Sequence, residues 1–205
     1  MNENAVFSVQ NEFLFADGNM VSFCRSPNQS GSIVPEYLVI HFTAGASAQS
    51  SIDWLTDKRA QASAHLVIGR DGSVTQLVAF DRKAWHAGKS RWAGDSGLNN
   101  NSIGIELDNL GALSGWAGHW RTSWGTPVPD DQVIVLPHKH DGKSRGWHIY
   151  SDVQMSVVEN VSRALVMHYG LKDVLGHDDI APGRKLDPGP AFGLEALRDK
   201  IFSRG

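Results

Sequence analysis

The 205-residue chain has a single cysteine, Cys24. One thiol forms no intrachain disulfide, and a cysteine-rich zinc cluster is excluded. Cys24 is expected to be an ordinary, partly buried thiol. There is no run of lysines and arginines, and the net charge is −3. That balance argues against non-specific nucleic-acid binding. No stretch approaches the ~18 apolar residues of a membrane span. The opening residues, MNENAVFS, have neither a basic start nor a long apolar segment, so no secretory signal is expected. These absences imply a protein that is cytoplasmic as synthesised. Internal repeats and low-complexity tracts are also missing.

What is present suits one α/β domain. Hydrophobic residues make up 41% of the chain, enough for a sizeable core. Residues 1–36 read as an N-terminal arm packed through Phe13, Leu14, Phe15 and Phe23. Tyr37–Phe42 (YLVIHF) is a short apolar run after Pro35 and reads as a buried central strand with His41 at its carboxyl end. Residues 48–58 read as a helix capped by Ser47, with Ile52, Leu55 and Trp54 turned inward. Residues 64–68 and 74–78 are two strands joined at Asp71-Gly72, a strong hairpin signal. In Ser102–Leu107 (SIGIEL), Ile103, Ile105 and Leu107 share one face and leave Glu106 on the other. Gly104 within that strand suggests a close backbone approach.

Residues 108–150 hold four tryptophans but too few apolar residues for a core of their own. They read as a loop-rich insertion, with a short strand at 133–136. Its histidines, His119, His138, His140 and His148, are expected at the surface. Ser151-x-x-Gln154 has a capping-box pattern and opens the clearest helix, 152–169. Gln154, Val157, Val158, Val161, Leu165 and His168 form its inner face, and Gly170 ends it. A short strand at 174–176 and a helix through Leu194, Leu197 and Ile201 complete the chain. The order implies a mixed central β-sheet flanked by helices, in a single domain with a loop-rich insertion.

Between the last strand and the last helix lies GHDDIAPGRKLDPGP, residues 176–190. Pro182, Pro188 and Pro190 forbid a regular element, so an ordered, irregular loop is expected. His177 and Asp187 offer an imidazole nitrogen and a carboxylate oxygen, and Lys185 puts a cation beside them. His41 is a candidate third ligand, because ligands collect at the carboxyl ends of strands in open α/β sheets. Three protein ligands and a water form a catalytic zinc site. A hydrolase of that kind also needs a base and a positive group for the oxyanion, which Glu106 and Lys185 would supply. No local spacing links His41 to the loop, and a histidine at a strand end is more often structural than ligating.

Taken in order, VIHFT (39–43), SAH (63–65), AWHAG (84–88), SIGIEL (102–107) and the 176–190 motif resemble the zinc-dependent N-acetylmuramoyl-L-alanine amidases. That family includes AmpD-type recycling amidases, phage lytic amidases and the peptidoglycan recognition proteins. The resemblance runs from about Tyr37 to Arg198, so residues 37–205 are expected to form the catalytic domain. It implies Zn2+ held by His41, His177 and Asp187, with Glu106 as general base and Lys185 at the oxyanion. The implied reaction is hydrolysis of the amide between N-acetylmuramic acid and L-alanine, with peptidoglycan or muropeptides as substrate. Other branches carry Cys at the third ligand and Tyr at the acid's position, so Asp187 and Glu106 place the chain nearer the AmpD type.

His86 is expected to contact sugar or peptide, and His65 to be a buried, hydrogen-bonded support. Arg184 suits either a stem-peptide carboxylate or a loop-bracing salt bridge. The role leans to lysis, with release to the cell wall through a partner's membrane lesion, over cytosolic recycling. Two rivals stand beside the amidase: a catalytically weak peptidoglycan-binding module, and a zinc peptidase cutting within the stem.

Overall fold

In the computed structural model, residues 5–203 are described. The central sheet has six strands. In chain order they are β1 (Ser22–Phe23), β2 (Tyr37–Phe42), β3 (Leu66–Ile68), β4 (Val74–Gln76), β5 (Ser102–Leu107) and, after three strands of the insertion, β9 (Asp173–Gly176). Their spatial order is β9-β2-β5-β3-β4-β1. The β9/β2, β2/β5, β5/β3 and β4/β1 pairs are parallel, and only the β3/β4 hairpin is antiparallel. The mixed sheet and flanking helices match the sequence reading.

Alternation along β2 and β5 divides the sheet into two faces. Leu38, Ile40, Ile103, Ile105 and Leu107 are fully buried on one face, against helix α2 (Asp152–Tyr169) and helix α4 (Leu194–Phe202). On α2 that core takes Val157, Val158, Val161 and Leu165. Burying each such side chain contributes ~1.5–3 kcal/mol. Tyr37 and Val39 pack on the opposite face with Leu98, Leu175 and Ile180. The register sets Glu106 directly beside His41, so both are carried on that second face at the carboxyl end of adjacent strands.

Several expectations need correction. Helix α1 (Ala48–Leu55) does begin at Ser47 but stops three residues early, at the Thr56 cap. Trp54 is 54% exposed, because two residues from Ile52 is about half a helical turn, away from the buried side. His168 is exposed, with its ring against Tyr169 at 4.6 Å. Ser151 caps α2, but Gln154 does not complete a box. Its Nε2 donates instead to the carbonyls of Ile68 (2.9 Å) and Asp108 (3.1 Å), tying α2 to the sheet. In the N-terminal arm, strands Phe7–Gln10, Phe13–Ala16 and Asn19–Met20 form a small antiparallel sheet. Leu14 is buried there, as expected, with Phe7, Val9 and Val21. Phe13 and Phe15 are only half-buried, and Phe23 is exposed on the edge strand. Cys24 is exposed as well.

The insertion is more ordered than its composition suggests. Strands β6 (Ala112–Leu113), β7 (Val133–Pro137) and β8 (Ser144–His148) form a sheet in the order β6-β8-β7. Leu113, Trp120 and Val128 make a small apolar cluster beneath it. His119 and His140 are exposed, but His138 and His148 are buried. His148 Nδ1 accepts from the Leu110 amide at 3.2 Å, a use for a buried imidazole that no residue spacing reveals. Among the described residues no helix is long and apolar enough to cross a membrane.

His65 is fully buried just before β3 and is satisfied on both sides. Its Nδ1 accepts from the Gly104 amide (3.0 Å) and its Nε2 donates to the Arg82 carbonyl (2.9 Å). Burial lowers its pKa to about 4. The folded pKa lies below the unfolded ~6.5, so this stabilisation is complete above ~6.5 and is lost as pH falls toward 4. Its size is up to ~3 kcal/mol. Denaturant unfolding at pH 7 and pH 4.5 is expected to lose less stability between the two in His65→Gln than in wild type. Equal losses would remove His65 from that role.

Candidate metal centre

The site forms where β2, β5 and β9 end. His41 is the fifth residue of β2, and His177 follows β9 directly. Asp187 returns on the loop that Pro182 and Pro188 keep out of helix. The 176–190 segment is not irregular throughout, however. Residues His177–Ile180 form one helical turn, α3. The three prolines begin only at Pro182, and the Asp179 carboxylate accepts from the Gly176 amide at 2.8 Å, capping the turn.

His41 Nδ1, His177 Nδ1 and Asp187 Oδ2 form a triangle with edges of 2.9, 2.9 and 3.0 Å. All three residues are buried. A tetrahedral ion with bonds of ~2.0–2.1 Å places its ligand atoms roughly 3.3 Å apart, so the triangle needs only a slight expansion to hold one. The surrounding hydrogen bonds fix which nitrogens are bare. The Ser102 hydroxyl donates to the Leu98 carbonyl at 2.5 Å, so Ser102 Oγ accepts from His86 Nε2 at 3.3 Å. His86 Nδ1 is then an acceptor and takes the Nε2 proton of His41 at 3.0 Å. That leaves the Nδ1 of His41 bare. His177 Nε2 faces the Ala87 carbonyl at 3.2 Å and donates to it, so its Nδ1 is bare too. Two imidazole lone pairs and a carboxylate oxygen thus converge with no proton among them. That donor set fits a cation.

The electrostatics agree. Burial and the neighbouring His177 lower the His41 pKa to about 4, keeping it neutral and able to ligate. Burial acts to raise Asp187, but the two imidazoles beside it, His177 and His41, outweigh burial and hold the carboxyl well below its usual range. Glu106 goes the other way. Burial, then the Asp187 charge, push its pKa well above the ordinary value, and Lys185 opposes them. Glu106 Oε2 is buried without a hydrogen-bond partner among the described residues. Lys185 is half-buried, and its charge acts on both Glu106 and His41.

The structure thus brings His41, His177, Asp187, Glu106 and Lys185 to one place. His86 sits behind His41, with both ring nitrogens engaged by protein groups. Its ring lies so close to β5 that a Cβ on Gly104 would fall 2.5 Å from His86 Cγ, the close approach expected of that glycine. Arg184 donates to the carbonyls of Ala87 (2.9 Å) and Lys89 (2.7 Å), bracing the loop through backbone acceptors.

Residue patterns did not single out the supports. Asp178 is held by His138 Nε2 (3.1 Å) and Lys139 Nζ (2.9 Å) from the insertion, and its amide donates to the Asp187 carbonyl at 2.8 Å. The buried Tyr150 hydroxyl donates to the Pro188 carbonyl at 2.9 Å. The insertion therefore clamps both the helical turn after His177 and the strand of loop that carries Asp187. A buried, partnered His-Asp pair of this kind has no local sequence signal.

A family description, N-acetylmuramoyl-L-alanine amidase, matches residues 31–190. The chain belongs to that amidase family. It is 37% identical over 138 residues to the 1,6-anhydro-N-acetylmuramyl-L-alanine amidase AmpD of Escherichia coli, covering 66% of this chain and 56% of that protein. It is 33% identical over 169 residues to the E. coli N-acetylmuramoyl-L-alanine amidase AmiD, covering 78% of this chain and 51% of that protein. The chain thus spans just over half the length of these curated relatives. A solved complex of E. coli AmiD with anhydro-N-acetylmuramic acid-L-Ala-D-gamma-Glu-L-Lys superposes with a TM-score of 0.63 at 28% identity, covering 95% of this chain and 65% of that one.

The relay behind His41 has a measurable consequence. Removing the partner of a ligating imidazole typically lowers metal affinity by about 10–100-fold. His86→Ala is expected to weaken metal binding within that range in a chelator-competition titration. Unchanged affinity would show that His41 keeps its orientation without it.

Proposed function

We propose that the chain is a zinc-dependent amidase that cuts between the lactyl group of N-acetylmuramic acid and L-alanine. The observation that carries this reading is the proton-free triangle of His41, His177 and Asp187 with Glu106 and Lys185 around it. Zinc bound there would acidify a water, polarise the amide carbonyl and counter the upward pressure of burial on Glu106. Glu106 takes the proton of the attacking water and passes it to the departing alanine amine. Lys185 sets a positive charge toward the oxyanion that develops on the carbonyl. His86, Ser102 and the Leu98 carbonyl hold His41 in its ligating tautomer. Arg184 anchors the loop to residues 87–89, which leaves its expected contact with a stem carboxylate without support from its own hydrogen bonds.

The presence of the full ligand set with both the acid and the lysine favours catalysis over a binding module. The similarity to AmpD, whose name specifies the 1,6-anhydro sugar, favours soluble muropeptides as substrate. That shifts the reading from lysis toward recycling. The deciding experiment incubates the protein with soluble anhydro-muropeptides and, separately, with intact sacculi, each with zinc or with a chelator. Peptides with a free L-alanine amine are expected, released faster from the soluble substrate and only with zinc. Cleavage within the stem would make the protein a peptidase, and no release from either substrate would end the amidase reading.

A further inference from the structure

The insertion reaches the loop of Asp187 through three buried side chains, His138, Trp147 and Tyr150. His138 opens the turn after β7. Its amide donates to the Lys143 carbonyl at 3.2 Å, and its carbonyl accepts from the Gly142 amide at 2.8 Å. The His140 amide donates to His138 Nδ1 at 3.4 Å, so Nε2 carries the proton given to Asp178 Oδ2. The imidazole stacks on Trp147, with ring centres 5.7 Å apart and planes at 27°. Trp147 in turn packs on the chain just past Asp187, since a Cβ on Gly189 would fall 2.7 Å from its ring. Tyr150 holds the Pro188 carbonyl. Asp178 follows His177 directly, and its amide donates to the Asp187 carbonyl. One buried carboxylate therefore links the insertion to the backbone that spaces His177 from Asp187.

We propose that His138 is a positioning residue for the metal, and that metal binding and the order of the insertion are coupled through Asp178. The inference rests on the metal-site reading and gives the insertion a part in that site, apart from any contact with substrate. The backbone bond between Asp178 and Asp187 joins the two ends of the segment that carries His177 and Asp187. Asp178 can turn away only if its carboxylate leaves His138 and Lys139. Leaving them would strand a charge on a residue that is 2% exposed, which is costly. His138 therefore keeps the two ligand carriers at a separation that a metal can use, without touching the metal. Coupling of this kind is reciprocal. The factor by which the clamp raises metal affinity is the factor by which metal stabilises the clamp. A histidine that served only the packing of the insertion against Trp147 would leave both quantities unchanged.

Hydrogen exchange read by mass spectrometry on the wild-type protein, metal-free and zinc-loaded, tests the coupling without any variant. Amides of residues 133–148 are expected to exchange more slowly with zinc. A wild type that takes up no zinc would refute the metal site and the coupling with it, whereas zinc uptake with equal exchange refutes the coupling alone. His138→Leu keeps an apolar surface for Trp147 but donates nothing to Asp178. It is expected to lower zinc affinity about tenfold in a chelator-competition titration, the low end of the usual range for a group behind a ligand. Zinc should then no longer slow exchange at 133–148. His138→Gln places an amide N–H near the position of Nε2 and should recover most of the affinity. Wild-type affinity in His138→Leu would remove His138 from this role, and so would an equal loss in both variants. None of these measurements uses substrate, so they stand or fall apart from the cleavage assay.

Discussion

Asp187→Ala is expected to leave the purified protein without tightly bound metal and with no measurable muropeptide cleavage. In the proposed ligand set Asp187 is the carboxylate beside two imidazoles, and its Oδ2 lies within 3.0 Å of the Nδ1 atoms of His41 and His177. With two histidines left, the set falls below the three protein ligands of catalytic zinc sites. The variant should also lose the difference in thermal stability between zinc-loaded and chelated protein, because a ligand that binds only the folded state stabilises it by mass action. Metal content by elemental mass spectrometry is the direct check. A full equivalent of zinc in Asp187→Ala would remove the residue from the ligand set.

Glu106→Ala should behave in the opposite way, retaining zinc but losing turnover by about 10²–10⁴-fold, the usual contribution of a positioned general base. The β2/β5 register sets Glu106 beside His41 but outside the triangle of His41, His177 and Asp187, so the three proposed ligand atoms remain in place. Glu106→Gln keeps the shape and is expected to lose a comparable amount, which separates proton transfer from packing. A variant with wild-type rate and one equivalent of zinc would mean that another group accepts the proton. Because burial raises the Glu106 pKa, the wild-type rate should fall on the acid side as the carboxylate becomes protonated. That limb should be missing in Glu106→Gln.

Much of this site was legible before folding. The apolar runs around His41 and Glu106 marked two strands, and alternation on the second put Glu106 on the face away from the isoleucines. The prolines correctly kept the end of the 176–190 segment out of helix. Alternation cannot give the strand register, though, and it is the register that brings His41 and Glu106 together across 65 positions of sequence. The supports were hidden for a related reason. His86 turns inward because Gly104 leaves room for its ring, and His138 is buried because Asp178 meets it from 40 residues away. Neither contact leaves a local pattern. Trp54 was read as core from its hydrophobicity, whereas its angular position on a two-turn helix puts it in solvent.

The most direct measurement is a zinc titration of chelated, metal-free protein with the initial rate of muropeptide cleavage as readout. No activity is expected at zero zinc, followed by a linear rise and a plateau at one equivalent per chain. Full activity in the metal-free protein would contradict a zinc-dependent reaction, and so would a rate that ignores added zinc.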